Sequence, residues 1–162
     1  MKLILAADER WGIGRDGGLL CHLPGDLKYF KSMTMGKTVI MGRVTLQSLP
    51  GGRGLPGRRN IVMTRDCGFS SENCEIAHTV RELDALLEGT PADDVFVIGG
   101  VSIYEQLLPK CDTCYITRIY EDFGADRSFC DLDNDPHFDC EPVSDVQEEN
   151  GIRYRFYVYK RR

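Results

Sequence analysis

The chain has 162 residues, 42% of them hydrophobic and 28% charged, with a formal net charge of −5. That size suits a single domain, read as residues 1–162, with a substantial core. The negative balance argues against nucleic acid or an anionic membrane as a partner, and no apolar run approaches the ~20 residues of a membrane span.

The first element, KLILAA (2–7), is too short and too soon followed by charge for a secretory leader, and reads as a strand. GIGRDGGLL (12–20) follows, a loop whose glycines make mobility plausible. Residues 24–34 read as a helix, with Pro24 suited to its first position. Leu23, Asp26, Leu27 and Phe30 follow the i, i+3, i+4, i+7 spacing of one helical face. That face is read as inward, so a carboxylate interrupts an apolar stripe. TVIMG (38–42) is a strand and RVTLQSL (43–49) a short helix. SLPGGRGLPGRRN (48–60) reads as an ordered surface loop, and NIVMT (60–64) as the next strand. TVRELDALLEG (79–89) is a helix with Thr79 as N-cap, Glu82 completing a capping box and Gly89 as the stop. DVFVIGG (94–100) is a strand, and VSIYEQLLP (101–109) a helix ending at Pro109.

The early strands are continuous rather than alternating, as expected of a parallel sheet covered on both faces. CYITRI (114–119) is a further strand. GIRYRFYVYKR (151–161) instead alternates, with Ile152, Tyr154, Phe156 and Val158 on one face. It reads as an antiparallel edge reached through QEENG (147–151). The class is therefore α/β, a mostly parallel sheet with an antiparallel C-terminal edge.

The seven cysteines, without a signal segment, read as reduced thiols of a cytoplasmic protein. Cys111 and Cys114 form a C-x-x-C, but no second pair follows to complete a zinc site, and no metal is expected. His22, beside a helix start, reads as structural or exposed, and Trp11 as the cover of the loop base. Asp26 has two readings from its own window. It is a helix-start acid favoured by the dipole, worth about 0.3–1 kcal/mol, or a partly buried acid facing a pocket. In the second case it would bind a cationic, amidine-like ring and help a proton move. Gly99 and Gly100 are either a tight turn or a place where backbone approaches a phosphate, although G-x-G-x-x-G is absent. Arg43 and Arg65 follow strand ends, where open α/β sheets bind ligands. Singly each reads as a surface residue; together they favour a 2′-phosphorylated cofactor, NADP over NAD.

GIGRDGGLLCHLPGDLKYFK (12–31), VIMGRVTLQSLP (39–50), LPGRRNIVMTR (55–65), VIGGVSIYEQLLP (97–109) and YITRI (115–119) occur in one order and spacing. In that set the chain resembles the bacterial dihydrofolate reductases over nearly its whole length. The resemblance implies NADPH-dependent reduction of 7,8-dihydrofolate to tetrahydrofolate, with hydride transfer to C6 and protonation of N5. It implies an eight-stranded, largely parallel sheet flanked by four helices, working as a monomer and open to antifolate-type inhibitors. Asp26 would bind the N3 and 2-amino edge of the pteridine and promote protonation of N5 through a water. Thr117 would orient Asp26, and Cys21 stands beside them where the family usually has Trp. Substrate contacts would fall at Ile4, Leu5, Leu27, Phe30, Leu49 and Ile98. Arg58 would grip the glutamate tail, a bidentate task suited to Arg, with Arg53 nearby. Cofactor contacts would fall at Ala6, Ile13, Gly14, Gly18 and Leu19, and at Gly42, Arg43, Val44 and Thr45. They continue at Met63, Thr64 and Arg65, and at Ile98, Gly99, Gly100, Val101, Ser102, Ile103 and Tyr104, with a cis peptide joining Gly99 to Gly100. Residues 12–20 match the mobile loop that closes over the nicotinamide and excludes water.

The chain departs from the family pattern at four places. Cys21 is smaller than Trp and a poor donor, so it is expected to weaken the loop's grip on a bound ligand. Cys130 replaces a usual Pro, and Arg127 and Ser128 replace part of an acidic–Thr pattern. Ser102 stands where some relatives have Arg, which shifts pyrophosphate binding toward backbone N–H groups. Two rivals remain: a reductase of a pterin or deaminated riboflavin intermediate, and a nucleotide-binding module without turnover. Asp26 together with Arg58 favours a folate over either.

Overall fold

A computed structural model describes all of residues 1–162. Its elements in chain order are β1 (Lys2–Ala7), β2 (Gly12–Gly14), α1 (Pro24–Thr34), β3 (Thr38–Gly42), α2 (Arg43–Ser48), β4 (Arg59–Met63), β5 (Glu75–Ala77) and α3 (Val80–Leu86). They continue with β6 (Val95–Gly99), α4 (Val101–Leu107), β7 (Thr113–Ile119), β8 (Arg127–Ser128), β9 (Phe138–Pro142), β10 (Gln147–Glu149) and β11 (Ile152–Arg161). The main sheet has the order β10-β11-β7-β1-β6-β3-β4-β5. From β7 to β5 every pair is parallel, and β11 pairs antiparallel with β7. β10 takes Ile152–Tyr154 and β9 takes Tyr157–Arg161 on the same side of β11. The sheet is thus eight strands across, with β9 as a ninth strand sharing that last edge. The expected mostly parallel sheet, antiparallel finish and four helices are present.

The continuous apolar strands bury both of their faces, since successive side chains point to opposite sides. Leu3, Leu5, Ala7, Ile40, Ile61 and Val97 meet Leu83, Ile103 and Leu107 of α3 and α4 in the larger cluster. The alternate residues Ile4, Val39, Met41, Val62 and Phe96 meet Leu46 of α2 and Tyr29, Phe30 and Met33 of α1. The chain passes from β1 to β3 and only later fills the place between them with β6. The carboxyl ends of these strands therefore open on one crevice, the usual place for a ligand in such sheets.

Local chemistry explains the element ends. Thr79 Oγ1 accepts the Glu82 N–H at 3.0 Å, and the Glu82 carboxylate takes the N–H of His78, one residue before the cap. α3 ends at Leu86, and Gly89 follows at φ +82° in the left-handed region. α4 stops at Leu107, and Pro109 lies in a following 3-10 turn. In the loop before β4, the Asn60 side chain bonds Leu55 N, Leu55 O and Arg58 O, so this glycine-rich segment is ordered. Trp11 is buried at the base of the 12–20 loop, edge-on to Tyr159, with the Arg118 guanidinium 4.1 Å over its ring. Arg118 pairs with Asp133 at 2.6 Å, and Tyr159 Oη donates to the same carboxylate at 2.6 Å.

Some expectations need correction. Leu27 is 43% exposed, so the stripe through Leu23, Asp26, Leu27 and Phe30 is not a uniformly buried face. α1 takes its core contacts from Tyr29, Phe30 and Met33 in its second half, and its first turn overhangs the crevice. The face of β11 opposite the alternating apolar set carries Tyr159, only 1% exposed, because the 3-10 turn at 132–134 and Trp11 cover that side. β2, inside the segment read as a loop, and β5, β8 and β9 are strands that the sequence does not announce. Each is short or polar, and only pairing with a neighbour makes it a strand. The C-x-x-C thiols, Cys111 and Cys114, are buried in the larger cluster, and all seven cysteines are unpaired.

Candidate active site

α1 begins without a side-chain cap: Leu23 is extended at the N-cap and Pro24 occupies the first turn. That start projects Asp26 back toward β7, where Thr117 Oγ1 donates to its Oδ1 at 2.6 Å. The two residues are 91 positions apart in sequence. Burial raises the Asp26 carboxyl above its usual range; the Thr117 hydrogen bond opposes this and the charge of Glu149 adds to it. No cation pairs with Asp26. It is a half-buried acid with one spare oxygen, suited to accept hydrogen bonds from a protonated or amidine-like ligand edge.

Below Asp26, Ile4, Phe30, Leu49 and Ile98 share one apolar cluster, together with Leu55, which the sequence reading missed. Leu5 does not join them. Alternation along β1 turns its side chain into the larger cluster on the opposite sheet face, leaving only its backbone toward the crevice. Cys21 and Ala6 each pack against the small cluster of Leu23, Ile119 and Tyr154. Burial pushes its thiol upward, with the Asp26 and Glu121 charges adding to the effect. At the outer end, Arg58 Nε donates to Pro56 O at 3.0 Å and Nη1 to Thr34 Oγ1 at 3.2 Å, leaving Nη2 available. Arg53 is exposed and folds back over Gly51.

A second cleft of about 620 Å3 runs along the ends of β3, β4 and β6. Of the expected cofactor residues, Gly42, Arg43, Val44, Thr45, Met63, Thr64, Arg65, Gly100, Val101, Ser102 and Ile103 line it. His78 and Arg127 line it too, although neither was picked as a site residue. His78 Nδ1 bonds the Thr64 carbonyl at 2.8 Å and so must carry the proton there. A histidine just after a short strand is the available signal, but β5 itself is not legible in the sequence. Arg43 is loosely paired with Asp66 at 3.8 Å. A Cβ on Gly42 would stand 3.1 Å from Ile103, so this wall of the cleft is backbone. Three arginines, Arg43, Arg65 and Arg127, outnumber the two carboxylates of the lining, Asp66 and Glu105, and with a histidine and open glycine backbone they fit a phosphorylated dinucleotide.

Ala6, Ile13, Gly14, Gly18, Leu19, Ile98, Gly99 and Tyr104 lie outside this cleft's lining. Leu19 is 73% exposed at the tip of the loop, so its side chain meets solvent. Tyr104 is buried, its hydroxyl donating to the Ile4 carbonyl at 2.8 Å, because α4 packs on β6 and the long tyrosine side chain reaches the neighbouring β1. Gly99 and Gly100 are joined by the expected cis peptide. The 12–20 loop is docked on the following segment: β2 pairs with β8, Asp126 N donates to Gly14 O at 3.1 Å, and Asp16 N donates to Asp126 Oδ2 at 2.9 Å.

The dihydrofolate reductase family profile matches residues 1–161. The dihydrofolate reductase of Staphylococcus haemolyticus is 36% identical over 99% of this chain and 95% of its own length. That of Mycobacterium leprae is 40% identical over 98% of this chain and 96% of its own length. Among solved structures, the Enterococcus faecalis enzyme complexed with NADP(H) and RAB-propyl superposes with a TM-score of 0.82. It is 34% identical and covers 99% of this chain and 95% of its own.

Proposed function

As a member of the dihydrofolate reductase family, the protein reduces 7,8-dihydrofolate to tetrahydrofolate with NADPH, and we propose that Asp26 is the acid on which this reaction turns. The observation that carries the assignment is the Thr117–Asp26 hydrogen bond at 2.6 Å, at the mouth of an apolar slot and without a cation. Bound NADPH supplies the hydride that reduces C6. The chain's residues orient the pteridine and deliver the proton. Asp26 accepts from N3–H and the 2-amino group, and Thr117 fixes which oxygen remains free to do so. N5 is not adjacent to that carboxyl, so the proton passes through a water held beside it. Ile4, Phe30, Leu49 and Ile98 exclude bulk solvent around the ring, and Arg58 holds the glutamate tail through Nη2.

Arg43, Thr45, Thr64, Arg65 and His78 hold the phosphates of NADPH, and the 12–20 loop covers the nicotinamide end. The same acid suits antifolate-type inhibitors that present a protonated amidine-like edge. The unpaired cysteines support a reducing, cytoplasmic setting, the chain is taken to work as a monomer, and no helix is long and apolar enough to cross a membrane. Loss of NADPH absorbance that depends on dihydrofolate measures the reaction. Asp26→Asn is expected to lower turnover by about 10²–10⁴-fold while NADPH still quenches the fluorescence of Trp11. Full turnover in that variant would remove Asp26 from the mechanism.

A further inference from the structure

α1 lacks a cap of its own, yet one of its first N–H groups is satisfied from far away. Gly25 N donates to Glu149 Oε1 at 2.8 Å, across 124 positions of sequence. The same oxygen accepts the hydroxyl of Tyr154, which is buried on β11. Glu149 is the last residue of β10, fixed opposite Ile152 by the Asn150–Gly151 turn, whose residues have φ +52° and +76°. Its place is therefore set by sheet register. Gly25 is part of the same arrangement: a Cβ there would stand 2.5 Å from Tyr154 Oη and 2.6 Å from Glu149 Oε1. The helix start thus holds two carboxylates, one on the residue after Gly25 and one bonded to Gly25 itself.

From this geometry we propose that Glu149 is a positioning residue for Asp26, clamping the first turn of α1 to the C-terminal hairpin and holding a second negative charge beside the catalytic acid. The claim rests on the reading of Asp26 given above. A carboxylate suits the positive end of a helix, so Glu149 is well held there. Like charge on the neighbouring acid favours the protonated form of Asp26. The other titratable groups beside Asp26 are Tyr29 on its own helix, Cys21 before it and Tyr154 on β11; burial is the leading influence on all three, Tyr115 and Glu121 stand farther out beside Tyr29 and Cys21, and none of the five is a cation. Glu149 is the one acidic residue among these influences on Asp26. Its charge keeps more of Asp26 in the form that can supply a proton at neutral pH.

The test is the pH profile of single-turnover hydride transfer from NADPH to dihydrofolate. In Glu149→Gln, which keeps an acceptor for Gly25 N–H, the midpoint is expected to fall by about 0.5–1 pH unit, lowering turnover above the midpoint roughly 3–10-fold. The acid-side plateau falls by no more than a few-fold. Gly25→Ala, whose methyl displaces the Glu149 carboxylate, moves the midpoint in the same direction. Thermal melts and NADPH binding check that both variants fold. An unmoved midpoint in the two variants overturns the proposal, and so does an even loss at every pH with the midpoint in place, which would make Glu149 a strut alone. Asp26→Asn, run in parallel, separates the two claims: a wild-type profile in that variant defeats the role of Asp26, whatever Glu149 does.

Discussion

Asp26 is held against its own preference. Burial favours its neutral form, and only the Thr117 hydroxyl opposes that. A carboxyl whose folded value lies above its unfolded one binds protons more tightly in the native state. Its contribution to stability is therefore greatest at acid pH and falls as pH rises through the window between the two values. Asp26→Asn is thus expected to melt at a higher temperature than the wild type at neutral pH, with the difference closing as pH drops below the range in which Asp26 ionises. Melting curves across pH measure this, and an equal gap at all pH values would contradict the raised carboxyl. On the proposed reading of the second cleft, cofactor choice rests on single residues as well. Arg65 and His78 stand in one cleft, and a charge-assisted hydrogen bond contributes ~1.5–3 kcal/mol. Arg65→Ala is expected to weaken NADPH binding roughly 10-fold or more while leaving NADH nearly unchanged. Titration of both nucleotides distinguishes this from general damage to the cleft.

At the scale of elements, the decisive piece is the small β2–β8 ribbon. Each strand is too short to be stable alone, and together they hold the 12–20 loop against residues 123–128. Asp126→Ala removes the acceptor for Asp16 N–H. Both residues are exposed, so global stability is expected to change by less than about 0.5 kcal/mol. Loop docking loses ~1 kcal/mol, so turnover falls roughly fivefold and proteolysis at Arg15 accelerates. These are the elements that the sequence hid. β8 is only Arg127 and Ser128, both exposed, with no periodicity to read. α1, by contrast, was legible in its bounds from Pro24 and the apolar spacing. Its packing was not: Leu27 is exposed, while Tyr29, Phe30 and Met33 in the second half of the helix take the core contacts.

Across the whole molecule, stability and function divide along the strands. Buried Leu3, Ile40, Ile61 and Val97 hold the sheet to α3 and α4, while the carboxyl ends of the same strands carry the site. Ile40 is fully buried, and Ile40→Ala is expected to cost about 2–5 kcal/mol, seen as a lower denaturation midpoint at unchanged slope. What the sequence alone determined was the α/β class, the parallel core, the antiparallel finish and the separate stretches that carry Asp26, Thr117, Arg58 and Arg65. Those follow from local pattern: continuous apolar runs, caps and turn residues act over a few positions. Only the tertiary structure decided which of these stretches meet. Thr117 reaches Asp26 across 91 residues and Glu149 reaches Gly25 across 124, while Leu5 and Tyr104 turn away into the core. Register, strand order and burial are set by packing between distant segments, and no local stretch of chain carries that information.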